Sequence, residues 1–212
     1  MTVYDLLFIA CFLVATVALT RAGYHACRCQ WASSSRVFKR LGYGAAIYFG
    51  VLVAVSLTSR RKVLQMGERQ SFDEWCVSVE RVVRLSRVGE PTTSARARGI
   101  FWVVTVRVSN AGRRRAQRAT DAGLYLIDSE GRRYFQSSSG QRALDATGAG
   151  GEDLATKMPP GGSFERTAVF DVPKNSEELG LVVTHGRFPG ILIIGDAQSF
   201  LHAPTVIRLS GL

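Results

Sequence analysis

Three residues in one short stretch have side chains that could bind a metal ion. His25, Cys27 and Cys29 lie within five positions, and imidazole and thiolate groups are the ligands that Zn²⁺ prefers in proteins. A zinc site usually needs a second pair of ligands, and the nearest candidate, Cys11, lies inside an apolar run. The spacing is therefore incomplete, and we favour the alternative that Cys27 and Cys29 are reduced thiols beside a membrane. No metal or other cofactor is predicted.

The densest basic cluster of the chain consists of four arginines within six positions: Arg113, Arg114, Arg115 and Arg118. They follow residues 110–112, whose sequence Asn-Ala-Gly is typical of a turn, so we expect an exposed loop and not a strand. Such a loop could contact anionic lipid, a wall polymer or an acidic protein. The alternative, which applies to most charge runs, is an ordinary solvated loop.

The sequence offers little that could perform catalysis. It has three histidines and contains no HExxH, GxSxG or GxxxxGK[ST] motif. The glycine-rich residues 148–151 are predicted to form a flexible loop, because neither a strand nor a helix flanks them. Asp145, Glu152 and Asp153 do not have the spacing of a calcium-binding EF-hand. We therefore predict a protein without a catalytic site.

Two uncharged apolar runs, residues 6–20 and 41–58, lie in the first third of the 212-residue chain. Each approaches the roughly 20 residues that a helix needs to cross a bilayer. A secretory signal peptide is the alternative for the first run, but such a peptide begins with basic residues and the only early charge here is Asp5. The runs predict a retained two-helix transmembrane hairpin over residues 1–62.

The distribution of charge indicates how this hairpin is oriented. Residues 1–62 carry a net charge of +7 and residues 63–212 only +3, so the basic total of +10 does not indicate a nucleic-acid-binding protein. The segment between the runs, residues 21–40, holds five basic residues and no acid, which predicts a cytoplasmic loop. Both the N-terminus and the C-terminal domain would then lie outside the cytoplasm. Three basic residues directly after the second run, at 60–62, oppose this orientation.

Small residues recur every fourth position in the second run, at Gly42, Ala46, Gly50 and Ala54. We call these four residues the small-residue ridge. Small residues let helix backbones approach closely in lipid. We expect the ridge to pack against the first helix, near Cys11 and Ala15, in preference to a second copy of the chain.

The remaining sequence has the patterning of β-structure. Residues 63–71 are predicted to be a juxtamembrane linker and residues 72–212 a β domain, with alternating apolar positions at 75–79, 100–108 and 164–172. Shorter strands are expected at 124–127, 133–136, 181–184, 191–194 and 205–209, and a long loop at 137–163. In this register Trp102 and Phe170 point into the core, whereas Thr105 and Thr167 point away from it. Many short strands and no long helix predict an all-β immunoglobulin-like sandwich.

Five segments together resemble a known family: FDEWCVSV at 72–79, FWVVTVRVSN at 101–110, LIDSEGRRY at 126–134, MPPGGSF at 158–164 and AVFDVP at 168–173. They are similar to the telokin-like, immunoglobulin-like domain of bacterial lipoproteins and membrane-anchored proteins. The resemblance covers about two-thirds of the chain, roughly residues 68–200, and its motifs are strand and turn patterns. It implies a sandwich fold and an extracytoplasmic location, and it implies no chemistry.

Two functions from different classes follow from these observations. The favoured one is a multi-pass protein of the bacterial cell membrane, with an extracytoplasmic sandwich that binds or scaffolds an unidentified protein or envelope component. The alternative is a metal- or redox-active membrane protein that uses His25, Cys27 and Cys29.

Overall fold

The computed structural model describes residues 3–72, 75–176, 178–186, 190–196 and 199–209. The chain divides into two units. One comprises Met1–Arg61 with Arg187–Pro204, and the other comprises Lys62–Gly186 with Thr205–Leu212. We call them the helical unit and the sandwich.

The helical unit contains two long antiparallel helices, α1 (Val3–Cys27) and α2 (Trp31–Thr58). Both helices continue well beyond the apolar runs, because residues 21–27 and 31–40 include several good helix formers and no proline. Of the predicted loop 21–40, only residues 28–30 are non-helical, and Cys29 has a φ of 55° there. The basic residues of this segment therefore lie mainly on helical turns.

Small polar side chains help to hold the two helices together. The Ser34 hydroxyl of α2 donates a hydrogen bond of 3.1 Å to the carbonyl of Ala22 in α1, and both residues are buried. Leu52 and Ser56 of α2 are also buried and lie on the same face as Ser34.

The sandwich consists of two sheets, whose orders are β1-β9-β8-β5-β6 and β2-β3-β4-β7. β1 and β9 are parallel, and the other neighbouring pairs are antiparallel. The strands are β1 (Val63–Leu64), β2 (Gln70–Phe72), β3 (Trp75–Val88), β4 (Ala95–Asn110), β5 (Gly123–Ile127), β6 (Arg133–Phe135), β7 (Ser163–Val172), β8 (Gly180–Thr184) and β9 (Val206–Arg208). The predicted fold class, two N-terminal helices followed by a β-sandwich, is confirmed at this level.

The main core lies between the two sheets. β4 contributes alternate residues, Trp102, Val104, Val106 and Val108, and β7 contributes Phe170 together with its apolar neighbours on the same face. Leu126 and Leu181 lie in the same cluster from the opposite sheet. Trp102 is 3% exposed and Phe170 is fully buried, which confirms the predicted register of both strands.

A short helix, α3 (Ser138–Asp145), covers part of the outer face of the four-stranded sheet. Sequence patterning had predicted a loop throughout 137–163. The helix forms because the Ser137 hydroxyl accepts the N–H of Gly140 as an N-cap, and because Ala143 and Leu144 are buried on its inner side. Leu144 packs in a second apolar cluster with Phe101, which lies on the outer face.

The side chain of Gln141 acts as a partner for the edge strand β7. Its Oε1 accepts the N–H of Val169 at 3.0 Å, and its Nε2 donates to the carbonyl of Thr167 at 3.0 Å. The N–H of Ser137 donates to the carbonyl of Val169, and the N–H of Thr167 donates to that of Gly150. These bonds satisfy edge groups that would otherwise be open to pairing with another chain.

Three boundaries differ from those expected. The predicted linker 63–71 contains β1 and most of β2, because Val63 and Leu64 pair with residues 206 and 207, which are too distant in sequence to be recognised as partners. At the expected strand 191–194 the structure has a 3₁₀ turn, Gly190–Leu192, which belongs to the helical unit. The prediction failed because a short apolar run does not distinguish a strand from other buried structure. The domain expected at 72–212 is accordingly interrupted by residues 187–204.

Candidate functional site

Asn110, at the end of β4, fixes the conformation of the loop that carries the arginine cluster. Its side chain is buried, and its Nδ2 donates to the carbonyls of Arg115 at 2.9 Å and Met158 at 3.1 Å. Its Oδ1 accepts the N–H of Gly112 at 2.9 Å, which is an Asx turn. Asparagine is suited to this position because its amide both donates and accepts hydrogen bonds.

The second end of the loop is bound to the segment before β7. Gln117 and Met158 exchange two backbone hydrogen bonds, of 2.9 and 2.8 Å. Asn110 also bonds through its backbone to Gly161 and Gly162. Residues 113–118, which we call the arginine loop, are thus held between two bonded ends, and its four arginines are exposed. This confirms the prediction of an exposed loop outside the strands.

The charges of the arginine loop are not neutralised by ion pairs with the residues that the structure describes. Other arginines of the sandwich have such partners: Arg107 with Glu165 at 3.0 Å, Arg132 with Asp128 at 2.7 Å and Arg166 with Asp145 at 3.2 Å. The hydrogen bond from Arg107 to Glu165 raises the pKa of that guanidinium. The arginine loop is the densest group of basic side chains in the sequence, which makes it the candidate site for an external anion.

A shallow groove of about 810 Å³ lies beside β7 and was not anticipated from the sequence. It is lined by Arg98, Gly99, Tyr134, residues 136–139, Asp171–Pro173 and Lys174. The carboxylate of Asp171 accepts the N–H groups of Arg98 and Gly99, at 3.0 and 3.1 Å. Because these residues come from three separate segments, no local motif could have indicated the groove.

A buried carboxylate organises the turn between β5 and β6. Asp128 accepts hydrogen bonds from Arg132 Nε at 2.7 Å and the Tyr134 hydroxyl at 2.9 Å, and from the backbone N–H groups of Glu130 and Arg132. Burial acts to raise the pKa of Asp128, but these bonds, with the charge of Arg132, outweigh it and lower that pKa to about 2. The arrangement is a structural clamp, because all of the carboxylate's partners belong to the same turn and strand.

The structure does not assemble the candidate metal loop. His25 Nδ1 lies 2.7 Å from the Oε1 of Gln30, and Cys27 and Cys29 are exposed free thiols. Among the described residues, no three histidine, cysteine, aspartate or glutamate side chains are grouped so that they could hold a metal ion. The alternative function that depended on this loop therefore gains no support from the geometry.

The small-residue ridge does not pack against α1 as expected. Gly42, Ala46, Gly50 and Ala54 are exposed, and a Cβ atom added at either glycine would meet no described atom within 4 Å. At 100° per residue the ridge lies roughly 130° around α2 from its buried face. Ser34, bonded to the carbonyl of Ala22, makes the contact with α1 instead.

The observations define a class of protein: a two-sheet β-sandwich with an exposed arginine loop, joined to two helices that are long and apolar enough to cross a membrane. A signal sequence near an N-terminus can share the length and composition of such helices. The chain belongs to the DUF4352 family, a domain of unknown function, whose sequence profile matches residues 64–190. Among curated proteins, none matches the chain significantly.

Several solved structures are similar to the sandwich. A conserved hypothetical protein from Bacillus anthracis shares 17% identity, with a TM-score of 0.48 over 57% of this chain and 89% of its own. MPT63, a secreted protein from Mycobacterium tuberculosis, shares 11% identity, with a TM-score of 0.46 over 72% of this chain and 100% of its own. A β-sandwich protein from Clostridium difficile shares 10% identity, with a TM-score of 0.42 over 72% and 96%.

Proposed function

We propose that this protein is anchored in a bacterial-type cell membrane by α1 and α2, and that its sandwich lies outside the cytoplasm as a binding or scaffolding domain without enzymatic activity. The exposed apolar surface of α1 carries this proposal. Phe12, Val14 and Val17 point in different directions around the helix and are 62%, 68% and 67% exposed. A helix that is apolar on all sides is stable when it is surrounded by lipid or by protein.

The contact between the helices favours a retained hairpin over a cleaved signal sequence. α1 packs along α2, and its buried Ala22 accepts the hydrogen bond from Ser34. Removing α1 would expose the buried face of α2. The resemblance to telokin-like domains of lipoproteins and membrane-anchored proteins supports the same location.

Reporter fusions test the proposed location directly. An enzyme that is active only outside the cytoplasm, fused after Leu212, should be active, because residues 21–40 hold more basic charge than residues 60–62. The same enzyme inserted at residue 29, between α1 and α2, is the matched control and should be inactive. Activity at residue 29 combined with inactivity after Leu212 would overturn the orientation.

The proposed binding role rests on the arginine loop. Its guanidiniums repel one another, so an approaching anionic polymer or acidic protein surface lowers the energy of the loop. The attraction between the guanidiniums and such an anion extends over a Debye length, which is about 10 Å at 0.1 M salt. The absence of catalytic motifs from the sequence supports a role in binding.

A matched pair of double variants tests this role. The full-length protein in zwitterionic nanodiscs should bind soluble polyphosphate at low salt, and added salt should reverse the binding. Arg113→Ser with Arg114→Ser should weaken binding severalfold. Arg87→Ser with Arg96→Ser removes the same charge from exposed, directly paired positions of β3 and β4 and should have much less effect. Equal losses in both variants would show that net charge, and not the loop, attracts the anion.

A further inference from the structure

The connection between β8 and β9 is far longer than its ends require. The two strands are antiparallel neighbours, with Leu181 paired to Ile207, and such strands can be joined by a two-residue turn. Here about twenty residues intervene, well above the usual length of a hairpin loop. Residues 187–204 of this connection belong to the helical unit. We call its described residues 190–196 and 199–204 the crossover segment.

The crossover segment is apolar at its start and is closed on itself by backbone hydrogen bonds. Residues 190–195 read Gly-Ile-Leu-Ile-Ile-Gly, and Ile193 and Ile194 are buried. The N–H of Phe200 donates to the carbonyl of Ile191 at 3.1 Å, so the two described parts of the segment lie side by side at these residues. The N–H of Ile193 donates to the carbonyl of Gly190 in the 3₁₀ turn.

Two hydroxyl groups of α2 bind this segment. The Tyr48 hydroxyl donates to the carbonyl of Leu192 at 2.6 Å. The Ser56 hydroxyl donates to the hydroxyl oxygen of Ser199 at 3.2 Å, and both serines are buried. Leu192 is therefore bound at Tyr48, and Ser199 is bound nearer the C-terminal end of α2, at Ser56.

The position of Tyr48 gives the depth that the segment reaches along the helix. Tyr48 lies ten residues before the end of α2 at Thr58, which corresponds to about 15 Å along the helix axis. The hydrocarbon core of a bilayer is about 30 Å thick, so with its boundary at Thr58 the backbone of Tyr48 would lie inside the core. Ser56 is only two residues from the helix end, so the Ser199 contact would lie near the surface.

Non-helical backbone at such a depth needs partners for its polar groups, because hydrocarbon supplies none. The Tyr48 hydroxyl provides such a partner for the carbonyl of Leu192. Meanwhile Phe200 and Leu201, 48% and 54% exposed, present large apolar surfaces on the outer side of the segment. Two adjacent exposed apolar side chains form a surface that hydrocarbon would cover favourably.

We propose that the crossover segment is a re-entrant membrane element, which enters the leaflet nearest the C-terminal end of α2 and contacts lipid through Phe200 and Leu201. This inference rests on the proposed membrane anchoring of α1 and α2. Lipid hydrocarbon would then be the contact partner of the crossover segment, which connects β8 to β9 of the sandwich.

Photo-crosslinking with three matched phenylalanine positions tests the proposal. Benzoylphenylalanine would replace Phe200 in the crossover segment, Phe12 in α1 or Phe135 in β6, all of which are exposed. The full-length protein is reconstituted in vesicles of phosphatidylcholine and phosphatidylglycerol, irradiated, and analysed by mass spectrometry for lipid adducts. We expect adducts from positions 12 and 200, with a yield at position 200 severalfold above that at position 135.

The outcomes separate the two proposals. Adducts at position 12, with a yield at 200 no higher than at 135, would overturn the re-entrant element and leave membrane anchoring intact. Absence of adducts at position 12 would overturn both.

As a second measurement, Tyr48→Phe should lower the adduct yield at position 200 severalfold, because it removes the donor to Leu192. Tyr43→Phe, at an exposed position of the same helix, should leave the yield unchanged; an equal yield in both variants would contradict the proposed role of Tyr48.

Discussion

Single residues in this protein stabilise turns by combining several hydrogen bonds, and Asp128 is the clearest case. The sequence predicted the turn itself, since residues 128–131 read Asp-Ser-Glu-Gly and Gly131 adopts the expected positive φ of 83°. The sequence did not predict that the carboxylate would be buried under Tyr134 and Arg132. That burial depends on where β6 and the loop after β7 meet, which local sequence does not encode.

The lowered pKa of Asp128 makes part of the stability depend on pH. An unfolded aspartate has a pKa of about 3.9, and the folded value is about 2. The stabilisation is therefore complete above about pH 4 and is lost as the pH falls from about 4 to about 2. Asp128→Asn should lower the thermal midpoint of the sandwich at pH 7, at a cost of about 1–3 kcal/mol for the disrupted bonds.

Thermal melts across pH values provide the check. The difference between wild type and Asp128→Asn should shrink as the pH approaches 2. Glu130→Gln is the matched control, because Glu130 pairs with the same Arg132 but its side chain is 68% exposed, so its effect should be small. A difference that stayed constant from pH 7 to pH 2 would show that the charge of Asp128 does not stabilise the fold.

At the scale of elements, β4 and β7 both supply large side chains to the main core, and the predicted alternation along them is correct. Trp102 pairs with Phe170 across these strands, and the guanidinium of Arg84 lies 4.2 Å from the centre of the Trp102 ring. Truncating either aromatic residue to alanine should cost about 3–5 kcal/mol, the range for large buried aromatics. Melts of the full-length protein in detergent would measure the loss.

The opposite face of the same strands is more buried than its sequence indicated. Thr105 and Thr167 point away from the main core as predicted, yet both are less than 9% exposed and their hydroxyls lie 3.1 Å apart. Thr105→Ala should therefore cost about 1 kcal/mol through the lost hydrogen bond, still well below the cost of Trp102→Ala. Equal losses from the two substitutions would mean that the register of β4 is wrong.

The helices show why composition predicts an element better than its packing face. Hydropathy was sufficient to predict α1 and α2, whereas the small-residue ridge suggested the wrong contact between them. Ser34, which bonds to Ala22, supplies such a contact instead. A repeat of small residues identifies a surface that permits close approach, and only the arrangement of neighbouring segments determines what occupies it.

At the scale of the whole molecule, the fold class could be predicted and the division into units could not. Hydropathy and alternation distinguish the helices from the strands along the chain. The return of residues 187–204 to the helical unit depends on long-range contacts, such as that of Tyr48 with Leu192, 144 positions apart. The arginine loop was predictable because its turn signal and its charges are local, whereas the groove beside β7 was not.

The pairing of β1 with β9 determines when the sandwich can be completed during synthesis. β1 follows α2 directly and would leave the ribosome early, yet its neighbour in the described sheet is β9, roughly 140 residues later. At about 5–20 residues per second, that interval is on the order of ten seconds. During it, the N-terminal helices can enter the membrane while Leu64, buried in the finished sheet, has no strand to pair with. Membrane insertion of the N-terminal helices would thus precede closure of this sheet, which waits until β9 has been synthesised.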